Sequence, residues 1–534
     1  MNKNRVLVGL GAVALSLALA ACGSNSGKSG DKTLHVTLQD EPMTIDPNKA
    51  TDVNSASMLL QSYEGLYTYD ANNKLKPGVA TKVVKPTNHG LTYTFNLRKD
   101  AKWSNGDPVT AKDFVYSFQR TVDPKTKAQF ASYYANFKNF DAIQAGKMAP
   151  SKLGVKALGK YKLQVTLAKQ MPWFNDIAAS KYLPLNEKAV NKYGAKHGTS
   201  AEKAVYNGPY KVADWTGTNN SWNYVKNNNY WNQKNVKIKT VKVTVTKDQN
   251  TAVNMFNSGD VQETTVNGQY VRQNSNNKNL KTHLLGRLQY LYFNNKKAKT
   301  NSENLRQALS YVTNRQQLTS QVLQDGSKPA LSAVIRGDQQ DPATGKDMAT
   351  SVGNLLPTDV TKAKQYWAKY LKETGQKTAT FNLLTDDTDE DKNVGQYLQS
   401  TIEKELKGAK VTLTSIPHAQ HVARDFAGQF DLNLTGWTTN WLDSADFLSL
   451  AQKGNTVNFT NWSDPTFNKL MTTQAGQTGQ TRYDTLAKAD KYLMKVKGFV
   501  PLYQPAESKL VSSKVGGLNY SLLNEAQYQY AYWK

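Results

Sequence analysis

From residue 291 onward the sequence switches repeatedly between two hydrophobic periods. Apolar residues follow strand patterns at 291–293, 379–384 and 410–415, and helical spacing over 302–324, 358–374 and 391–406. A chain with that order of patterns has to lay helices against a sheet, so this region predicts a compact α/β unit. Upstream the same two periods recur. Residues 34–38 alternate as a strand, and the stretch from Asp52 to Tyr63 carries Met58, Leu59 and Ser62 at helical spacing until Glu64-Gly65-Leu66 ends it. Residues 91–97 and 162–167 predict strands, and 201–290 mixes strands over 236–245 with a helix over 250–257. A last helix, about 480–497, leads into Phe499-Val500-Pro501-Leu502-Tyr503. The whole chain has 534 residues, too many for one ordinary core, which predicts two to four domains.

Residues 1–22 read MNKNRVLVGLGAVALSLALAAC. Lys3 and Arg5 precede an apolar stretch too short to span a bilayer and ending in small residues, which is the pattern of a secretory signal. The only cysteine of the chain, Cys22, follows Leu19-Ala20-Ala21 and resembles the acylated cysteine of a bacterial lipoprotein. The rest of the chain has no cysteine, so an exported body folds without disulfides. Residues 23–31, GSNSGKSGD, read as a flexible tether between anchor and globule. The net charge is +25, but the basic residues are scattered singly and no nucleic-acid signature accompanies them. Attraction to an anionic membrane or cell wall fits that scatter better than nucleic acid does.

The motifs that would announce chemistry fail on inspection. The tether imitates a phosphate loop but has one residue too few between its glycines. Asp387, Asp389 and Asp391 have calcium-loop spacing, yet Lys392 stands where glycine is needed and Leu398 where a bidentate Glu is needed, so DDTDED reads as a solvated acidic loop. His418 and His421 share a helical face without a third ligand. No nucleophile elbow occurs, and no metal, cofactor or catalytic residue is predicted.

One run has more definite content. LTYTFNLRKDAKWSNGDPVTAKDFVYSFQR, residues 91–120, is a strand, a turn at 104–108, and a helix capped by Thr110 with Asp113 as the acidic member of a capping box. Phe114, Val115 and Phe118 give that helix an apolar face. The run closely resembles the signature of the oligopeptide-binding proteins of ABC importers, the family 5 extracellular solute-binding proteins. Asp46-Pro47, Glu64-Gly65-Leu66, Asn207-Gly208-Pro209-Tyr210, Asn229-Tyr230-Trp231, Phe293-Asn294-Asn295, Gly436-Trp437 and Val500-Pro501-Leu502-Tyr503 agree in order, over about residues 33–534.

The resemblance implies an α/β, two-lobed periplasmic-binding-protein-like fold with a hinge. Lobe one takes 33–66, 186–286 and 508–534, an extra subdomain is inserted at 67–185, and lobe two takes 287–507; residues 1–21 are the signal and 22–32 the acylated cysteine and tether. It implies a monomeric binding protein, not an enzyme, lipid-anchored at Cys22 on the outer face of the cytoplasmic membrane. Such a protein closes on an extended peptide and presents it to the transmembrane permease subunits of an importer. Trp103, Gly106, Pro108, Thr110 and Asp113 are then expected to serve turn, packing and cap.

By family position the ligand runs along Gly436, Trp437, Thr438, Thr439 and Asn440 of lobe two, within GWTTNW, with Trp441 packing behind. From lobe one, Thr51, Asp52, Val53 and Asn54 supply backbone pairing. Phe130, Tyr133 and His418 line the pocket. Many relatives carry an Asp at the position of Asn440, which pairs with the ligand ammonium. Asn440 is neutral, and Asp443 is the candidate substitute. The missing charge keeps open a narrower ligand: a signalling peptide, a cell-wall peptide or a non-peptide solute. A surface hydrolase using carboxylates is the reading from another class; it predicts turnover.

Overall fold

Two mixed β-sheets organise the molecule, and the chain passes between them twice, at adjacent points. The computed structural model describes residues 33–70, 74–439, 441–455, 457–523 and 526–534. The first sheet has seven strands. Leu34–Leu38 lies inside it, parallel to Thr240–Val245 on one side and Glu263–Val266 on the other. Ser221–Lys226 and Tyr210–Ala213 extend one edge, while Ala506–Val511 and Leu280–Leu284 extend the other. The second sheet has six strands in the order Lys328–Pro329, Val500–Gln504, Arg287–Phe293, Leu432–Thr438, Ala379–Asp386 and Ala409–Ile416.

Leu284 closes a strand of the first sheet and Arg287 opens one of the second; Gln504 and Ala506 make the return crossing. The two crossings are tied together. Leu285 N–H donates to Pro505 O at 2.9 Å, and Gln504 Nε2 donates to Leu285 O at 3.0 Å. A pair of short connections side by side is the geometry of a hinge.

The signature run builds a third, smaller sheet and the helix that covers it. Thr92–Asn96 buries Tyr93 and Phe95 on one face and pairs with Lys162–Thr166, which pairs in turn with Val155–Gly159. Gly106 turns the chain at φ +91°, a conformation that favours glycine. Asp113 accepts from the Thr110 backbone N–H at 2.6 Å and from its hydroxyl at 2.7 Å, which fixes the start of helix Ala111–Val122. Phe114 and Phe118 are fully buried beneath it, as is Trp103. Turn, cap and packing therefore account for these residues. Arg120, on the same helix, grips buried Asp46 with two hydrogen bonds of 2.9 and 2.7 Å, and His197 Nδ1 lies 3.3 Å from the same carboxylate. That cluster locks the inserted subdomain to the loop before the first helix.

Three local expectations change. The helix expected over 302–324 breaks after Val312, because Asn314 caps a new turn by accepting from Gln317 N–H, and a π-helical segment follows at Leu318–Leu323. The strand expected over 236–245 is confined to Thr240–Val245; Val236 and Ile238 instead pack into the core from a loop. DDTDED is not a solvated loop. Asp386 ends a strand and Thr388 caps helix Asp389–Glu405. Asp391 is buried, exchanging bonds of 2.8 and 3.1 Å with Thr388. Acids in the first turn of a helix face its positive end, which explains their clustering.

Candidate functional site

A cavity of about 220 Å³ lies where helix Val53–Ser62, the inserted subdomain and the end of strand Leu432–Thr438 meet. That is smaller than the roughly 300–1,000 Å³ of typical ligand pockets, so a longer ligand requires the lobes to part further. Val53, Leu59 and Tyr63 come from the helix and its end, Tyr67 and Tyr69 from the strand that follows, and Phe130 and Tyr133 from the subdomain. Thr438 and Thr439 enter from the other sheet. Phe130 and Tyr133 stack at 5.1 Å with an interplanar angle of 22°, forming a flat apolar wall.

Two charged side chains line this space, and they differ in how they are satisfied. Glu64 is buried, and burial pushes its carboxyl up to about 7 despite hydrogen bonds from Tyr230 OH at 2.5 Å and Trp231 Nε1 at 2.7 Å. Burial lowers Lys181 to about 8. Its nearest aromatic neighbours are the faces of Tyr133 and Phe130, 5.8 and 5.9 Å from its nitrogen.

The strip from 436 to 439 has an unequal pair of edges. Strand Leu432–Thr438 pairs along its full length with Arg287–Phe293. On the other side it pairs with Ala379–Asp386 only at Leu432 and Asn433. Beyond Asn433 that edge carries no strand among the described residues, so its backbone is available to an added one. A Cβ at Gly436 would press on the ends of the Gln289 and Arg287 side chains, which would have to shift. Trp437 is half-buried, with its indole N–H donating to Asp446 at 2.9 Å. Thr438 is exposed at the strand end. Thr439 is buried, and its N–H reaches across the hinge to Gly286 O at 2.8 Å.

Trp441 does not pack behind the strip. It crosses to the inserted subdomain, stacking on Trp173 at 6.4 Å and meeting Tyr133 edge-on at 6.2 Å. The two lobes are thereby in contact on the far side of the cavity. Arg482, 5.8 Å from the Trp173 ring, adds a cation to the same patch.

The remaining expected residues divide. Val53, Phe130 and Tyr133 line the cavity with Thr438 and Thr439. Asp52 caps the first helix in an extended conformation, accepting from Ser55 N–H at 2.7 Å, so Val53 and Asn54 are already helical and Thr51 precedes the cap. Asp443 does not face the cavity. It is buried, held by Arg482 in a two-pronged pair of 2.7 and 2.9 Å, and also accepts from Ala445 N–H. Its charge is paired with Arg482 and not directed into the cavity. His418 lies outside the cavity lining, largely exposed, with Nδ1 2.8 Å from Asp386. Asn440 and Cys22 lie outside the described residues. Among the described residues no group of His, Cys, Asp and Glu is arranged to hold a metal ion, and no helix is long and apolar enough to cross a membrane. Glu64 was visible in the sequence as part of Glu64-Gly65-Leu66, though only as a helix end. Lys181 gave no signal, since a lone lysine in a basic chain resembles every other.

The model of bacterial extracellular solute-binding proteins, family 5 Middle, matches residues 74–459. The dipeptide-binding protein of Lactococcus lactis subsp. cremoris is 31% identical over 539 residues, covering 97% of each chain. The oligopeptide-binding protein OppA of Bacillus subtilis is 28% identical over 541 residues, again covering 97% of each. Among solved structures, Listeria monocytogenes OppA bound to peptide superposes with a TM-score of 0.78 at 34% identity, covering 95% of this chain and 99% of that one.

Proposed function

The chain belongs to the family 5 bacterial extracellular solute-binding proteins, and from that premise we propose that it captures peptides between its two lobes and hands them to an ABC importer. The observation that carries this reading is the strand edge beyond Asn433, which pairs with no other strand among the described residues and whose end, Thr438, lines the cavity. An extended peptide laid there adds a strand, and its backbone is recognised whatever its side chains. The paired crossings at 285 and 505 serve as the hinge. Lobe limits of 33–66, 186–286 and 508–534 against 287–507, with 67–185 inserted, belong to the same proposal. So do acylation at Cys22, a tether over 23–32, and residence on the outer face of the cytoplasmic membrane. No chemistry is asked of the protein: the bound peptide leaves as it came.

The test is to purify the full chain in detergent and identify its co-purifying ligands by mass spectrometry. A mixture of peptides supports oligopeptide capture. A single species supports the second reading, a narrower ligand, which the small cavity favours. Cleavage of an added peptide or cell-wall fragment would sink both.

A further inference from the structure

We infer that Lys181 selects ligands carrying a carboxylate, by supplying the ammonium that such a group pairs with inside the cleft. The inference rests on the peptide-binding reading of that cleft and adds to it a preferred chemical class.

Three observations meet at this residue. First, its position is fixed. Lys181 follows helix Phe174–Ser180, its N–H donating to Ile177 O at 2.8 Å. The next residue, Tyr182, is fully buried and donates its hydroxyl to Tyr133 O at 2.9 Å. Lys181 is therefore anchored to the segment that carries Phe130 and Tyr133, and it lines the cavity with them. Second, its charge is unanswered. Among the described residues no carboxylate forms an ion pair with Lys181, and no hydrogen bond from its ammonium is present. The other charged group of the lining is Glu64, whose two oxygens are taken by Tyr230 and Trp231. The rings of Phe130 and Tyr133 stand near the ~6 Å limit of a cation–π contact and compensate weakly. Third, Lys181 is only partly exposed, and its ammonium faces the Phe130 and Tyr133 rings. An ammonium turned toward rings with no counter-charge is partly desolvated, and burial lowers it to about 8.

A ligand carboxylate removes that imbalance, forming a charge-assisted hydrogen bond in a site that closure keeps dry. The carboxylate has two sources, an Asp or Glu side chain or the terminal carboxylate of a short peptide. The neutral wall of Phe130 and Tyr133 would hold the methylene or backbone atoms leading to it.

The experiment uses the full chain in detergent and calorimetric titration with a matched tripeptide set. The set replaces Glu by Gln at each position in turn, and the terminal carboxylate by an amide. The expected result is one replacement that weakens binding at least tenfold, and its position names the source. In Lys181→Met that ratio falls to about one, whereas Lys181→Arg keeps it; thermal unfolding of each variant checks that it is folded. Peptides binding with no carboxylate preference, or a preference that survives Lys181→Met, overturns the inference and leaves the peptide reading intact. If no peptide of the set binds, the peptide reading fails and the inference falls with it.

Discussion

On one side of the cleft Val53, Leu59, Tyr63, Tyr67, Phe130 and Lys181 present side chains; on the other, Thr438 ends a strand whose outer edge meets no other strand beyond Asn433 among the described residues, and Thr439 follows it. In the proposed peptide-binding reading the two walls recognise different parts of the same ligand. A backbone edge is blind to sequence, because every peptide offers it the same N–H and C=O groups. A wall of rings with one ammonium is selective, because it rewards particular shapes and one sign of charge. Breadth and preference can thus be altered separately, one wall at a time. Each wall also has its own buried ion pair behind it: Asp46–Arg120 behind the first and Asp443–Arg482 behind the second.

Removing one member of those pairs gives the largest expected effect. Asp443→Ala strands Arg482 in a buried site and is expected to cost about 3–5 kcal/mol of stability, read by urea unfolding. If Asp443 were a ligand anchor instead, binding would fall while stability held. Asp46→Asn is expected to be of similar size on the first wall, with an added signature in pH. Burial alone would raise the Asp46 carboxyl, but the His197 ring 3.3 Å away and the two hydrogen bonds from Arg120 outweigh it and hold the group well below the usual carboxylate range. A depressed folded-state value means the stabilisation is full above the unfolded value of about 3.9 and is lost as pH falls through the folded one. The unfolding curve of Asp46→Asn should therefore be flatter on its acid side than that of the parent chain.

The contact between the walls comes next. Trp441→Ala removes two ring pairs, with Trp173 and Tyr133, worth about 0.5–1.5 kcal/mol each. Both exist only when the lobes touch, so the loss should shift the population toward an open form. A larger radius of gyration by small-angle scattering is expected, with ligand binding weakened by about tenfold. An unchanged radius would mean that the hinge itself holds the lobes together.

A smaller effect distinguishes the walls by pH. Glu64 ionises near 7 and Lys181 loses its proton near 8, and each change disfavours an anion in the cavity. The cavity tyrosines do not interfere: Tyr67 is pushed up to about 12 by burial, and Tyr63, Tyr69, Tyr133 and Tyr134 higher still. The Glu-to-Gln affinity ratio should decline between pH 6 and pH 9, while neutral peptides paired only to the strand edge hold level. Lys181→Arg keeps its charge throughout, so its decline should be limited to the step near pH 7.

The second sheet was largely legible because its strands and helices are long and strongly periodic, as at 379–386 and 389–405. The signature run was legible because its cap, turn and apolar face are local. The ion pairs were not. Asp443 and Arg482 are far apart in sequence, and nothing about Asp443 alone distinguishes a structural carboxylate from a ligand anchor. Trp441 was misplaced for the same reason, since its partners Trp173 and Tyr133 belong to another subdomain. Lys181 depends on what is missing near it, and a sequence does not display an absent partner.

The smallest expected effect tests the strip on the sequence-blind wall. The family resemblance implies an Asp where this chain has Asn440, a position outside the described residues. A neutral amide accepts a hydrogen bond from a ligand ammonium without the added attraction of a charge. Asn440→Asp should therefore tighten free-amine peptides several-fold, about 1 kcal/mol, and leave N-acetylated ones unchanged, as read by isothermal titration. Unchanged or weaker binding of free-amine peptides would place the ligand's amino end elsewhere. If both variant walls respond as expected, Asn440→Asp and Lys181→Met should act additively on a peptide that has a free amine and an acidic side chain, because independent sites add. Strong coupling would instead mean that one ligand group touches both walls, which places the ammonium and the carboxylate of the peptide within a residue or so of each other.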